Sequence, residues 1–90
     1  CAGWPVSSPG AYRGSFTQRA AGGLLIMSST HDPATPYQAG VNLASTLDAR
    51  LLTVDGTNHT AYLGTGNDCA DQIGNDYLLT LTLPADDTTC

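Results

Sequence analysis

Two short apolar runs on either side of a capped helix pattern restrict this chain more than any other feature. Leu24–Ser29 (Leu-Leu-Ile-Met-Ser-Ser) is apolar over its first four residues and follows Gly22-Gly23. Such a run fits a strand buried on both faces, as in a parallel sheet. Thr35 then offers a helix N-cap, Pro36 suits the first helical position, and Gln38 completes a capping box. Tyr37, Val41, Ala44 and Leu47 recur at helical spacing and predict one buried stripe, ending near Asp48-Ala49. Leu51–Val54 is a second apolar strand, broken by Asp55-Gly56. Asn67 or Asp68 can cap a further helix with Cys69, Ile73 and Tyr77 on one face. The end of that helix is ambiguous. Asn75–Leu79 reads as helix, Leu79–Leu83 alternates like a strand, and Pro84 stops either.

The order strand, helix, strand, helix predicts an α/β chain built on one right-handed crossover unit. Two parallel strands cannot bury both faces and both edges of a sheet. The expectation is therefore an incomplete sheet whose other strands lie in sequence beyond these residues. Residues 1–22, with no sustained period, read as an extended connector in which Trp4 and Phe16 are candidate anchors; residues 23–90 carry the folded part.

Charge narrows the partners. The chain has 90 residues with Arg13, Arg19 and Arg50 against eight Asp, no Lys and no Glu, for a formal net charge of −5. A face that binds nucleic acid or an anionic membrane needs clustered Lys and Arg, so neither partner is expected. No apolar run is long enough to span a bilayer, and no signal-peptide pattern is visible.

Three cysteines, Cys1, Cys69 and Cys90, suggest an exported chain. The favoured arithmetic is a Cys69–Cys90 bridge tying the tail to the last helix, with Cys1 paired to a residue outside this sequence. A reduced buried thiol and a lipid-modified Cys1 stay open as alternatives.

Asp32 lies just past the carboxyl end of the first strand, and His59 just past that of the second. Sites in open α/β sheets form at that edge, and adjacent parallel strands would set the two loops side by side. An acid and a histidine so placed match the orienting carboxylate and general base of a nucleophile triad. Their order, about 27 positions apart, matches the latter part of the Ser…Asp…His sequence of α/β-hydrolases. The bland alternatives are a plain Asp-Pro turn and an exposed loop histidine. His31 competes, but neighbouring side chains in an extended turn diverge, which favours His59. No Gly-x-Ser-x-Gly elbow is present. Ser28 and Ser29 sit at a strand end, and Cys69 is better explained as a disulfide partner than as a nucleophile. No spacing supports a metal site.

Residues 24–37, Leu-Leu-Ile-Met-Ser-Ser-Thr-His-Asp-Pro-Ala-Thr-Pro-Tyr, resemble the strand and acid turn of α/β-hydrolases of the secreted bacterial tripeptidyl aminopeptidase (TAP-like) family. Arg50–His59 resembles the family's last strand and histidine loop. Cys69–Leu79, Leu83-Pro84 and the terminal Thr-Thr-Cys90 resemble its C-terminus, and Cys1-Ala-Gly-Trp4-Pro5 its preceding Cys-x-x-Trp-Pro segment. The resemblance implies the C-terminal β-α-β-α portion of an α/β-hydrolase fold. It also implies a secreted serine hydrolase that removes short peptides from free N-termini, with no cofactor. Asp32 falls on the triad acid and His59 on the triad base; the serine, oxyanion hole and most of the substrate cap would lie upstream. Such a segment alone is expected to be inactive. Two departures stand out: Thr60 follows His59 where the family has Gly, and Ser-Ser-Thr-His precedes the acid where the family is Gly-rich. The rival reading is a non-catalytic, disulfide-stapled binding module.

Overall fold

The computed structural model describes residues 3–15 and 23–90. Its elements run β1 (Leu25–Ser29), α1 (Tyr37–Leu47), β2 (Arg50–Val54) and α2 (Asp68–Thr80). The chain is α/β, as the pattern predicts. The two strands pair in parallel, Leu25 opposite Arg50 through Ser29 opposite Val54.

Alternation along the strands divides the sheet into two faces. Ile26, Ser28, Leu51 and Thr53 face α1, where the Tyr37 hydroxyl meets Thr53 Oγ1 at 2.8 Å. Leu25, Met27, Leu52 and Val54 form the other face. There Leu52 and Val54 build the core with Ala61 and Ala70, and Leu25, Met27, Ile73 and Cys90 pack against it. Both helices come close to their neighbours through glycine. A Cβ on Gly40 of α1 would lie 2.6 Å from Ser28 Oγ, and one on Gly74 of α2 would lie 2.5 Å from the Tyr62 ring.

Helix α1 begins one residue later than the capping pattern implies. Pro36 takes the N-cap position with extended backbone and no side-chain cap bond. Thr35 does not cap because its hydroxyl donates to Asp32 Oδ2 at 3.0 Å. The expected inner stripe holds: Tyr37, Val41, Ala44 and Leu47 are its less exposed positions, and Ala44 is buried. The helix closes at Asp48 in the left-handed region, φ 52°.

Asn67 caps α2, its Oδ1 accepting from the Ala70 amide at 3.1 Å. The inner face of α2 is Ala70, Ile73, Gly74 and Tyr77, with Cys69 exposed. Cys69 is thus displaced from the expected stripe, because Ala70 and Gly74 allow closer packing. Helix continues to Thr80 and ends at Leu81 in the left-handed region, so the strand-like alternation of Leu79–Leu83 forms no strand. Residue 79 is 83% exposed. Residues 3–15 carry neither helix nor strand. Trp4 is 72% exposed and so is not packed as an anchor against the described residues; Phe16 and Cys1 lie outside them.

The outer edge of β2 is covered by the tail. Thr53 N–H donates to Thr88 O at 3.2 Å, and Cys90 N–H donates to Thr53 O at 2.8 Å. A Cys69–Cys90 disulfide fixes this tail to α2. Asn67 Nδ2 also donates to the Cys90 carbonyl at 3.2 Å.

Candidate functional site

The carboxyl ends of β1 and β2 are neighbours because the strands are parallel and in contact along their whole length. Each strand runs directly into a polar loop, and the two loops hold the sequence-derived candidates.

Asp32 sits in a tight turn that uses its side chain as the organising acceptor. Its Oδ1 accepts from the Ala34 amide at 2.7 Å and the Thr35 amide at 2.9 Å. Its Oδ2 accepts from the Thr35 hydroxyl at 3.0 Å. The Asp-Pro-Ala-Thr sequence favours this arrangement, since an Asp side chain readily bonds amides two and three residues ahead. The carboxylate is held well below the usual range of protonation. The largest cause is the Thr35 amide bond; burial opposes it, and the Ala34, Thr35 hydroxyl and His59 bonds add to the lowering.

His59 reaches across from the second loop. Its Nδ1 lies 3.1 Å from both Oδ1 and Oδ2 of Asp32. The Asp32 side chain is only 5% exposed, whereas that of His59 is 56% exposed. An ionised carboxylate can only accept, so the proton of the pair is on Nδ1 and is donated to Asp32. The opposite ring nitrogen, Nε2, has no hydrogen-bond partner among the described residues. The ring is therefore fixed in tautomer and orientation at one end and open at the other.

The side chain of His31, the competing histidine, meets Thr30, and Asp32 is met by His59. His31 Nδ1 lies 3.0 Å from Thr30 Oγ1. Thr30, within the Ser-Ser-Thr-His that precedes the acid, joins both loops through its hydroxyl, donating to Asp55 Oδ1 at 3.0 Å and accepting from the Gly56 amide at 3.2 Å. Ser28 and Ser29 lie on β1 itself, and Ser29 is 3% exposed. Cys69 is bonded to Cys90 and has no free thiol to act as nucleophile.

A family model described as TAP-like protein matches residues 1–90. The chain is 46% identical over 95 residues to carboxylesterase B of Mycobacterium tuberculosis. It is 44% identical over 96 residues to the serine protease Hip1 of the same species. It is 33% identical over 91 residues to the tripeptidyl aminopeptidase of Streptomyces lividans. Each comparison covers 100% of this chain but 17% of the relative, so the chain spans about a sixth of the length of the curated relatives it matches.

Proposed function

The chain belongs to the TAP-like protein family, and from that premise we propose that it is the acid-and-base end of a secreted serine hydrolase, with Asp32 and His59 as two members of its catalytic triad. The nucleophilic serine and the oxyanion hole would come from polypeptide upstream of these residues. The observation that carries the reading is the pair itself: His59 Nδ1 held between both oxygens of a buried carboxylate, with Nε2 left open.

In this reading Nε2 takes the serine proton as the serine oxygen attacks the substrate carbonyl. Asp32 stabilises the imidazolium that forms. The same proton passes to the leaving amine or alcohol, and water then repeats the cycle on the acyl-enzyme. The relatives' names, carboxylesterase, serine protease and tripeptidyl aminopeptidase, are consistent with this reading, since a serine nucleophile can form an acyl-enzyme from either an ester or an amide. The substrate proposed is a polypeptide with a free N-terminus, from which a short peptide is released, in keeping with the relative named tripeptidyl aminopeptidase. Export is supported by the Cys69–Cys90 bridge, which persists in oxidising compartments.

Exposed apolar side chains support a sheet completed by other residues. Leu52 is the largest side chain fully buried among the described residues, while Trp4, Val6, Tyr12, Leu63, Leu78 and Leu81 are each more than half exposed. A chain with this much uncovered apolar surface is expected to meet a partner surface.

The test is His59→Ala in the full-length polypeptide carrying this segment, assayed with tripeptide and ester substrates. Turnover should fall by about 10³-fold or more while the fold is retained. Activity within about tenfold of the parent (a change of ~1.4 kcal/mol in the barrier) would overturn the base assignment and favour the binding-module reading.

A further inference from the structure

We infer that Thr30 is a positioning residue for the His59 loop, clamping the two carboxyl-edge loops into the register that lets His59 meet Asp32. The inference rests on the proposed catalytic pair and adds a residue to it.

The histidine must be delivered from a loop that leaves β2 at Val54, whereas Asp32 leaves β1 at Ser29. The strand ladder ends at those residues, and bonds beyond it join the two loops. Thr30 is the first residue beyond β1, and its backbone continues the pairing, its amide donating to the Val54 carbonyl at 3.0 Å. Its side chain then meets the next two residues of the second loop. The hydroxyl donates to Asp55 Oδ1 at 3.0 Å and accepts from the Gly56 amide at 3.2 Å. The adjacent His31 amide donates to the Gly56 carbonyl at 2.9 Å.

One hydroxyl has one hydrogen and two lone pairs. Asp55, an acceptor only, takes the hydrogen, and the Gly56 amide takes one lone pair. The remaining contact, His31 Nδ1 at 3.0 Å, must then be a donor to Thr30. The hydroxyl is saturated, which leaves little freedom for the loop it holds. Three residues beyond Gly56 the chain reaches His59. Release of this clamp would let His59 drift relative to Asp32, which is itself fixed by its own turn. Misplacement of a catalytic group by about 1 Å is enough to cost on the order of 10²-fold in rate.

The experiment compares Thr30→Val, Thr30→Ser and His59→Ala in the full-length polypeptide, measuring kcat and KM per folded molecule and the Nδ1 proton resonance of His59. Thr30→Val keeps the shape and β-branching but loses the hydroxyl. It should lower kcat by ~10- to 100-fold with KM within about twofold, and broaden or shift the Nδ1 resonance. Thr30→Ser should recover kcat to within about threefold of the parent, since it restores the same bonds. Unchanged kcat in Thr30→Val, with His59→Ala inactive, would overturn the clamp and leave the catalytic pair standing. An active His59→Ala would overturn the pair and the clamp together. Should Thr30→Val not fold, Asp55→Ala removes the same hydroxyl's acceptor from the other side; a kcat equal to the parent's there would equally overturn the inference.

Discussion

Asp32 shows how much one residue does when a turn and a site share it. Its carboxylate accepts two amides, a hydroxyl and an imidazole. The folded state therefore holds it ionised, well below the ordinary carboxylate value of 3.8, with the Thr35 amide as the leading cause. The sign follows from linkage. A group whose proton affinity is lowered by folding contributes stability above about pH 4, its unfolded value, and loses it as pH falls further. Asp32→Asn should therefore flatten the acid limb of the stability profile below about pH 4, read by denaturant melts from pH 7 to pH 3. Activity should drop by on the order of 10⁴-fold, because an amide can present a donor to Nδ1 and so stabilise the wrong tautomer. An unaltered acid limb would mean that the turn does not depend on the charge. The placement of Asp32 and His59 in the loops past the two strands was legible in the sequence, because strand ends are marked by where apolar runs stop. Thr30 was not. A hydroxyl at a strand end has many local uses, and only three-dimensional pairing reveals that its partners, Asp55 and Gly56, are more than twenty residues away.

At the scale of elements, periodicity carried most of the information and caps less. The stripe of α1 was readable from Tyr37, Val41, Ala44 and Leu47. Its first turn was not, since Thr35 has two competing uses and the carboxylate of Asp32 wins its hydroxyl. In α2 the signal was weaker, because small residues do the packing. Ala70 and Gly74 face inward, where a reading by size favours Cys69. Gly40 makes the same point in a form that can be measured. In an exposed helix, Gly→Ala gains about 1 kcal/mol of propensity. Here the added methyl would sit 2.6 Å from Ser28 Oγ and 2.7 Å from its Cβ, on the strand that leads into the acid loop. Gly40→Ala should therefore destabilise the full-length protein in equilibrium denaturation, against the propensity trend. Relief of the contact in the double variant Gly40→Ala/Ser28→Gly should recover part of the loss. A Gly40→Ala protein more stable than the parent would show that α1 can shift off β1 at little cost.

The whole molecule is asymmetric about its two-stranded sheet. One edge, that of β2, is closed by the tail through Thr53, Thr88 and Cys90, while β1 pairs only with β2 among the described residues. The closing segment is irregular, with an isolated bridge between Thr53 and Thr89 as its only sheet-like pairing among the described residues. Its persistence must come from the anchors at its ends. Arg50 grips the start of the tail at the Pro84 carbonyl and pairs with Asp86 at 3.0 Å, and the Cys69–Cys90 bridge and Asn67 hold its finish. The ion pair is a weak anchor, since the Asp86 side chain is 85% exposed and solvent screens it. The disulfide is the strong one. It closes a loop with a sequence separation of 21, which corresponds to about 3 kcal/mol in the chain-entropy model. Replacing both cysteines, Cys69→Ser with Cys90→Ser, should therefore lower the stability of the full-length polypeptide by about that amount. The loss should be local before it is global. Release of the tail uncovers the Thr53 backbone, so limited proteolysis should cut between residues 84 and 90 at temperatures where the parent is resistant. The Asp32–His59 pair lies at the carboxyl end of the strands, and its loops are joined by bonds of their own through Thr30. Turnover of the still-folded double variant should consequently stay near that of the parent. A tail that resists protease without the disulfide would assign its retention to Arg50 and the backbone bonds instead.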